Sequence, residues 1–343
     1  MEKKSKRWRV VVLPGDGTGP EVTEAALSVI KTINKKFGIE MDIIKGDAGF
    51  SCIKKFGTNL PKETISLLND SDCVLKGPMT TPEGGSSEMS VAVKIRKMFE
   101  LYANVRPCRN LTDNRERKID LIIVRENTEG MYSGLDFMVS DGVAIGLRVI
   151  TRRGTERVGR YAIGLSEKRK KHLTVVHKAN ILKKSDGMFK DIIIGMAKRK
   201  KIVVDDAHVD AMAQWLIKNP ERYDVLVTEN LFGDILSDEA AMVAGGIGIA
   251  PSANIGERYA MFEPIHGSAP KYAGMDIVNP IATILSVKMM YEWMKEENAA
   301  KEIDRAVMES IKKGIMTKDM GGKSKCSEVS RHISKNIEKG GKR

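Results

Sequence analysis

Short apolar segments with the composition of buried strands recur along the chain, and several are followed by a loop and a stretch with helical spacing. Three clear examples are Arg9–Pro14, Asp120–Arg125 and Leu173–Lys178. Segments that alternate in this way predict a mixed α/β fold. Enzymes of this class place ligands in the loops that follow the strands. The polar residues directly after each strand are therefore the first candidates for a site.

The first predicted strand is followed by the glycine-rich loop Gly15–Gly19 and then by Pro20. A dinucleotide-binding fingerprint, G-x-G-x-x-G, requires glycine at position 20, so the loop is not the Rossmann pattern. Proline at this position suits the first turn of a helix. The glycines indicate a tight turn with a close backbone approach, which either a ligand or a sharp strand–helix turn explains.

Asp234 and Asp238 lie four residues apart at the start of a predicted helix that follows the strand Tyr223–Val227. This spacing places both carboxylates on one helical face. Two oxygen donors suit a hard cation such as Mg²⁺ or Mn²⁺. A solvated acidic face near a helix N-terminus explains the same pair without a metal, and the spacing alone favours that explanation.

Arg96, Arg106 and Arg125 come from three separate predicted elements. Arg125 ends an apolar strand, so we expect its side chain at the carboxyl end of that strand. Taken singly, each is a surface or ion-pairing arginine, but together they could clamp several carboxylates. Lys178 also ends an apolar strand, where a lysine with a lowered pKa can act in acid–base chemistry. A surface lysine is the simpler explanation, just as a packed core residue is for Tyr132.

The net charge is +12, and much of it lies in the runs Lys168–Lys171, Lys198–Lys201 and Lys339–Arg343. A nucleic-acid-binding surface would combine such runs with aromatic residues. Aromatic residues make up only 5% of the chain, and these runs contain none. We therefore expect solvated surface lysines and no nucleic-acid partner.

Three sequence features indicate the environment in which the protein works: the cysteines, the apolar runs and the N-terminal segment. Cys52, Cys73, Cys108 and Cys326 are widely spaced and form no C-x-x-C pair, which indicates neither a zinc site nor a disulfide framework. No apolar run approaches the length that spans a bilayer, and the basic N-terminal segment has no secretory signal pattern. We expect a cytoplasmic protein with no membrane partner.

Six segments together resemble the β-decarboxylating dehydrogenases, the family of the isocitrate, 3-isopropylmalate and homoisocitrate dehydrogenases. They occur in the family's order along the chain, and the fifth is the most specific. The segments are Gly15–Glu21, Tyr102–Pro107, Val124–Tyr132, His177–Asn180, Thr228–Asp238 and Glu263–Pro270.

The resemblance implies the isocitrate/isopropylmalate dehydrogenase-like α/β fold, which is not a Rossmann fold. A large domain on the cofactor side would comprise residues 1–101 and 246–343. A small domain, residues 102–245, would carry a clasp hairpin at about 131–152 and the dimer interface. The family forms homodimers or higher homo-oligomers whose active sites are shared between subunits.

The resemblance also implies roles for individual residues. Tyr132 and Lys178 match the catalytic pair. Asp210, Asp234 and Asp238 match the ligands of Mg²⁺ or Mn²⁺, with Asp210 and Lys178 contributed by the neighbouring subunit. The positions that match residues binding the polycarboxylate substrate are Thr81, Ser90, Arg96, Arg106, Arg125 and Asn180.

The family's cofactor-binding positions fall in the last third of the chain. They match Glu263, His266, Gly267, Ser268, Ala269, Lys271, Tyr272, Val278 and Asn279. Lys271 and Tyr272 stand where NAD-preferring relatives usually have Asp-Ile. An aspartate would accept from the ribose 2′-hydroxyl and repel a 2′-phosphate, so these residues favour NADP over the alternative, NAD.

The choice of substrate depends on two positions. Ser90, six residues before Arg96, matches the serine that can bind the third carboxylate of isocitrate, whereas isopropylmalate enzymes present an apolar residue. Ala92 departs from the isocitrate pattern, which usually has Asn there. We expect the oxidative decarboxylation of isocitrate to 2-oxoglutarate and CO₂. The alternatives are 3-isopropylmalate or homoisocitrate dehydrogenase, or a non-catalytic regulatory subunit, which would tend to lack a catalytic residue.

Overall fold

A computed structural model describes residues 6–80, 89–112 and 117–340 of the chain, which form a mixed α/β structure. Elements are numbered in chain order. The strands are β1 (Trp8–Leu13), β2 (Met41–Lys45), β3 (Cys73–Lys76), β4 (Ala103–Arg109), β5 (Asp120–Glu126), β6 (Asp136–Ser140), β7 (Val143–Gly146), β8 (His172–His177), β9 (Val203–His208), β10 (Val225–Thr228), β11 (Pro251–Ile255) and β12 (Ala260–Pro264).

Helices follow most of these strands along the chain. They are α1 (Gly19–Phe37), α2 (Phe50–Phe56), α3 (Lys62–Asn69), α4 (Val91–Met98), α5 (Arg152–Glu167), α6 (Ser185–Arg199), α7 (Val209–Lys218), α8 (Asn230–Ala244), α9 (Ile281–Trp293), α10 (Glu297–Lys312) and α11 (Cys326–Lys339). Within the described ranges, no helix combines the length and apolar character needed to cross a membrane.

The residues group into two units. Unit 1 comprises Met1–Ile95, Gly245–Ala253 and Arg258–Arg343, and unit 2 comprises Arg96–Ala244 and Asn254–Glu257. The roles that the sequence assigns to the two domains, cofactor side and clasp with dimer interface, stay predictions.

The core of unit 1 is a sheet with the strand order β2–β1–β3–β12–β11, in which β1, β2, β3 and β12 are parallel. Val10, Val11 and Val12 are fully buried, as expected for a central parallel strand covered on both faces. Helix α1 turns a stripe of apolar residues toward this core, and α9 is buried on nearly all sides. The predicted strand–helix alternation is thus confirmed in this unit.

Unit 2 has the strand order β4–β5–β10–β8–β9, in which β4 alone runs antiparallel to its neighbour. Leu226 of β10 lies opposite Ile123 of β5 and Thr174 of β8. Because four of these strands are parallel, their carboxyl ends meet at one edge of the sheet. The loops after Arg125, Thr228 and His177 therefore leave from the same edge.

Strands β6 and β7 form a separate hairpin in unit 2, with Phe137 opposite Ile145. Every residue of both strands is exposed, including Phe137, Met138 and Val143. A two-stranded hairpin is at best marginally stable in water by itself. Its exposed apolar side chains form a surface that another element could cover.

A half-buried lysine joins three helices of unit 1. The Lys36 ammonium of α1 contacts Glu302 Oε1 of α10 at 2.6 Å and donates to the Ile337 carbonyl oxygen of α11 at 2.6 Å. It also donates to the carbonyl oxygen of Gly340, which follows the last turn of α11. A cation at a helix C-terminus offsets the partial negative charge of the free carbonyls, so this contact fixes the end of α11.

We expect Lys36→Met to lower the free energy of unfolding by about 3 kcal/mol, because it removes the cation from a cluster of oxygen atoms with little access to water. The control is Lys45→Met, since the Lys45–Glu24 pair is exposed and its atoms are 3.5 Å apart. That change should cost less than about 0.5 kcal/mol. Urea titration of both variants measures the difference, and equal losses would contradict the structural role of Lys36.

Candidate active site

The Asp234 carboxylate is the centre of a cluster in unit 2. The Arg125 guanidinium contacts Asp234 Oδ1, and Arg125 Nε donates to Asn230 Oδ1 at 2.9 Å. The Tyr132 hydroxyl donates to Asp234 Oδ2 at 2.5 Å. A Cβ atom at Gly233 would lie 2.6 Å from the Arg125 side chain, so glycine is required for the arginine to lie against α8. The ion pair between Arg125 and Asp234 thereby joins the end of β5 to the first turns of α8.

Arg106 connects the two aspartates that the spacing predicts on one helical face. One of its terminal nitrogens lies 3.2 Å from Asp234 Oδ1, and the other lies 3.1 Å from Asp238 Oδ1. The second nitrogen also donates to Ser237 Oγ at 2.7 Å, and Nε donates to Asn104 Oδ1 at 2.7 Å. Asp234 and Asp238 therefore face the same guanidinium group.

Three arginines act on this cluster, since the charge of Arg96 also acts on Asp234. Arg96 in α4 is buried, and its charge acts together with that of Arg106 on Arg125. Burial is the largest cause that lowers the pKa of Arg125, followed by the charges of Arg106 and Arg96. The arginines predicted from separate elements thus converge in the structure.

The electrostatic balance keeps Asp234 ionised. Burial alone would raise its pKa, but Arg125 and Arg106, with the Tyr132 hydrogen bond, lower it overall. Burial raises the pKa of Asp238, and Arg106 only partly opposes this. Burial and the hydrogen bond to Asp234 raise the pKa of Tyr132, so its hydroxyl keeps its proton at neutral pH.

Lys178 and Asp210 form a second group in the same unit. The Lys178 ammonium donates to Asp210 Oδ1 at 2.5 Å. Asp210 is the second residue of α7, and the hydrogen bond from Lys178 is the largest cause of its lowered pKa. Asn180 lies exposed in the turn after Lys178. Within the described ranges, no three His, Cys, Asp or Glu side chains converge as a cation site, so Asp210 does not join Asp234 and Asp238 in one chain.

A histidine that the sequence analysis did not select orients the Lys178 loop. His177 Nδ1 accepts from the Ala179 N–H at 3.0 Å. Its Nε2 must then carry the proton, and it donates to Asp206 Oδ2 at 2.8 Å. The only sequence signal for this role is the position of His177 as the last residue of a buried strand.

The glycine loop of unit 1 packs against the predicted cofactor loop. The Thr18 N–H and hydroxyl both donate to the Ser268 carbonyl oxygen, at 2.8 and 3.1 Å. A Cβ atom at Gly17 would lie 2.2 Å from the same oxygen, and its φ is +58°. Thr80 Oγ1 lies 2.7 Å from Ser268 Oγ. The glycines therefore permit the close approach of two loops.

In this loop, the His266 ring has a nitrogen atom without a hydrogen-bond partner among the described residues. Its Nδ1 donates to the Gly267 carbonyl oxygen at 3.1 Å, which leaves Nε2 as an acceptor. Burial lowers the pKa of His266, so the ring is neutral at pH 7. In the described part of the chain, Nε2 is buried and has no hydrogen-bond partner. A neutral, unsatisfied acceptor fits a ligand with an N–H group, as nicotinamide dinucleotides have.

The other residues predicted to bind the cofactor differ in exposure and in their contacts. Lys271 and Tyr272 are exposed, with the ammonium 4.8 Å from the ring centroid. Glu263 pairs with buried Lys76 at 2.7 Å. Asn279 Nδ2 donates to Asp319 Oδ2 at 2.9 Å. Ala269 has the left-handed conformation, Gly267 is exposed and Val278 is half-buried.

Thr81, predicted to border the substrate, is outside the described residues. Ser90 directly precedes α4, and its Oγ accepts from the Val93 N–H at 3.4 Å. This contact gives the Ser90 hydroxyl a role at the start of the helix.

The residues present fit a divalent cation and a nicotinamide cofactor. Asp234 and Asp238 present carboxylate oxygens to the same side of α8, and carboxylate oxygen is the donor type that Mg²⁺ and Mn²⁺ prefer. The His266 acceptor and the exposed cation at Lys271 fit the polar groups of a dinucleotide.

Comparison with known proteins defines the class. Residues 9–333 match the family described as isocitrate/isopropylmalate dehydrogenase. The chain is 41% identical to the 3-isopropylmalate dehydrogenase of Saccharolobus solfataricus, over 96% of this chain and 99% of that protein. It is 42% identical to the homoisocitrate dehydrogenase of Methanocaldococcus jannaschii, over 96% and 98%. A crystal structure of isocitrate dehydrogenase from Methylococcus capsulatus is 40% identical, with a TM-score of 0.90 over 96% of this chain and 99% of that one.

The chain therefore belongs to the isocitrate/isopropylmalate dehydrogenase family. Members of this family are β-decarboxylating oxidoreductases that act on small carboxylates and generally use a divalent metal and a nicotinamide cofactor. The resemblance and the fold class inferred from sequence are thereby confirmed.

We expect Asp234→Asn to lower the free energy of unfolding by about 3 kcal/mol, because it leaves Arg125 and Arg106 without their shared carboxylate. A polycarboxylate such as citrate should stabilise this variant more than the unmodified protein, since it can neutralise the same arginines. Thermal unfolding with and without citrate measures both effects. The control Asp191→Asn, at an exposed position of α6, should change little. Equal citrate shifts in both variants would contradict the assignment.

Proposed function

We propose that this chain catalyses the NADP-linked oxidative decarboxylation of a 3-substituted malate, with 3-isopropylmalate or homoisocitrate preferred over isocitrate. The observation that carries the reaction is the cluster in which Arg96, Arg106 and Arg125 lie with Asp234 and Tyr132. Arginines that can bind carboxylates lie beside carboxylates that can bind a cation. A metal-chelating hydroxy acid with several carboxylates needs both.

We base this substrate preference on the names of the similar dehydrogenases rather than on the sequence pattern at Ser90. The dehydrogenases from S. solfataricus and M. jannaschii are named for 3-isopropylmalate and homoisocitrate. The Ser90 contact with Val93 gives that serine a helix-capping role, and Ala92 departs from the isocitrate pattern. Isocitrate is the second candidate, because the Ser90 hydroxyl could also bind a carboxylate and one similar solved structure is an isocitrate dehydrogenase.

In this mechanism, the arginines bind and orient the substrate carboxylates. When these carboxylates occupy Arg106 and Arg125, they replace Asp234 as the anionic partner, and its oxygens become free to hold a cation. A bound Mg²⁺ or Mn²⁺ would supply Lewis-acid stabilisation of negative charge on substrate oxygens, and a bound nicotinamide cofactor would supply the hydride acceptor for C2.

In the proposed mechanism, Lys178 and Tyr132 carry out the two proton transfers. In its deprotonated form, Lys178 removes the proton of the 2-hydroxyl as C2 is oxidised, and Asp210 orients the Lys178 side chain. Tyr132 returns a proton to C3 after CO₂ has left. The raised pKa of Tyr132 suits this role, because the phenol must be protonated to act as an acid.

We also propose that a second copy of the chain completes the site. Exposed apolar side chains lie on the β6–β7 hairpin and on α7 and α8, including Met138, Ile217, Ile235 and Met242. Two copies would cover these surfaces, which a monomer would leave in water. A partner would also supply Lys178 and Asp210, which pair with each other in one chain and do not join Asp234 and Asp238.

A non-catalytic regulatory subunit is the weaker alternative, and a cytoplasmic location remains a prediction. All the residues assigned to catalysis and metal binding are present: Tyr132, Lys178, Asp210, Asp234 and Asp238. A purified single chain that turns over substrate would exclude the regulatory role.

The purified chain should sediment as a dimer and oxidise 3-isopropylmalate or homoisocitrate with kcat/KM at least about tenfold above that for isocitrate. The assay measures each acid with NADP and NAD in the presence of Mn²⁺. If isocitrate has the highest kcat/KM, the second candidate replaces the first. If none of the acids is turned over, the proposed function fails.

The double variant Lys271→Asp with Tyr272→Ile should shift the NADP/NAD ratio of kcat/KM toward NAD by at least about tenfold. The introduced carboxylate would repel the 2′-phosphate and accept from a ribose hydroxyl. The control Lys301→Asp makes the same charge change at an exposed position of α10 and should leave the ratio unchanged. An unaltered ratio in the double variant would exclude Lys271 and Tyr272 from the cofactor pocket.

A further inference from the structure

The Arg148 guanidinium lies next to two buried carboxylates of unit 2. One terminal nitrogen contacts Asp186 Oδ1 in α6, and Nε lies 3.7 Å from Glu229 Oε2. The side chains of Asp186 and Glu229 are 1% and 2% exposed, and that of Arg148 is 14% exposed. The guanidinium also lies over the Phe232 ring, 5.1 Å from its centroid. Arg148 thus lies between two carboxyl groups that have almost no access to water.

Each of these carboxylates fixes a main-chain segment that carries a site residue. Asp186 Oδ2 accepts from the Lys178 N–H at 2.6 Å. Glu229 accepts from the N–H groups of Leu231 and Phe232, at 3.2 and 2.8 Å, in the first turn of α8. The same helix carries Asp234 and Asp238. Arg148 therefore connects the main chain of Lys178 to the start of the helix that bears the aspartates.

The burial of the three groups makes this connection sensitive to Arg148. A buried carboxylate that loses its cation must turn toward water, gain a proton or pull its surroundings apart. For Asp186, the first of these would break the hydrogen bond to the Lys178 N–H. The Lys178 loop would then lose its fixed position, although none of its own side chains had changed.

We propose that Arg148 is a positioning residue for the reaction, because it holds Asp186 and Glu229 and through them fixes the Lys178 main chain and the first turn of α8. This inference rests on the role given to Lys178 in the proposed function. Arg148 follows β7, the second strand of the exposed hairpin, so the connection also includes the end of that hairpin.

A second buried ion pair in unit 2 provides a matched control. Arg169 Nε donates to Asp224 Oδ1 at 2.7 Å, and the Asp224 side chain is 1% exposed. Arg169 precedes β8 and Asp224 precedes β10, so this pair lies at the amino ends of strands whose carboxyl ends carry the site. Loss of either arginine should reduce stability to a similar degree, but only Arg148 should affect Lys178.

The kinetic experiment compares Arg148→Met, Arg148→Lys and Arg169→Met. We expect Arg148→Met to lower kcat by about 10- to 100-fold while KM stays within about threefold. Arg148→Lys retains a cation and should recover most of the loss. Arg169→Met should lower the melting temperature while kcat stays within about twofold. Equal losses of kcat in the two methionine variants, or a loss confined to KM, would overturn the positioning role.

Hydrogen exchange followed by mass spectrometry tests the same proposal without turnover. The amides of Lys178 and Leu182 are informative, because the first donates to Asp186 and the second to the Lys178 carbonyl oxygen. Arg148→Met should speed exchange in a peptide covering these amides by at least about tenfold, and Arg169→Met should not. Unchanged exchange in Arg148→Met would refute the inference even in an active enzyme. If the unmodified protein turns over none of the acids, the proposed function fails, but the exchange result still decides whether Arg148 positions Lys178.

Discussion

The carboxylate of Asp234 is shared by Arg125, Arg106 and the Tyr132 hydroxyl, and the arrangement of unit 2 depends on that sharing. Arg125 is almost completely buried, so its charge requires a counterion nearby. In the proposed mechanism, the substrate carboxylates replace Asp234 as the counterion of Arg125, and Asp234 binds the cation. In this mechanism, the Asp234 carboxylate stabilises the protein without substrate and binds the metal when substrate is bound.

The direction of the strands explains why these groups meet. Parallel strands bring the ends of β5, β10 and β8 to one edge of the sheet, and each is followed by a polar loop or a helix start. Arg125, Asp234 and Lys178 come from three such connections. The charged site groups lie where the main chain leaves the sheet, while the apolar strand interiors form the core.

Local spacing in the sequence predicted the parts of the site that depend on one element. The four-residue spacing of Asp234 and Asp238 gave their common helical face, and the strand ends gave Arg125 and Lys178. For Gly15–Gly19, the sequence left two explanations open, and the structure shows a close approach to the Ser268 loop. Strand β9 contains Asp205, Asp206 and His208, which are exposed because this strand lies at the edge of the sheet.

Contacts over long sequence distances had no such signal. Arg148 reaches Asp186 and Glu229 across the fold, and Lys36 reaches the end of α11, yet no periodicity or motif links these positions. Such pairs are decided by tertiary packing, since a buried charge must be matched wherever the chain brings a partner. Substrate and cofactor preference likewise depend on a few side chains whose neighbours the sequence does not specify.

Isothermal titration of Mn²⁺ into the purified protein, with and without saturating substrate acid and with no cofactor present, tests the central claim most directly. If substrate carboxylates release Asp234 from its arginines, the acid should tighten Mn²⁺ binding by at least about tenfold. An identical Mn²⁺ affinity in the presence and absence of the acid would contradict the account of a cation site and an anion site that share one carboxylate.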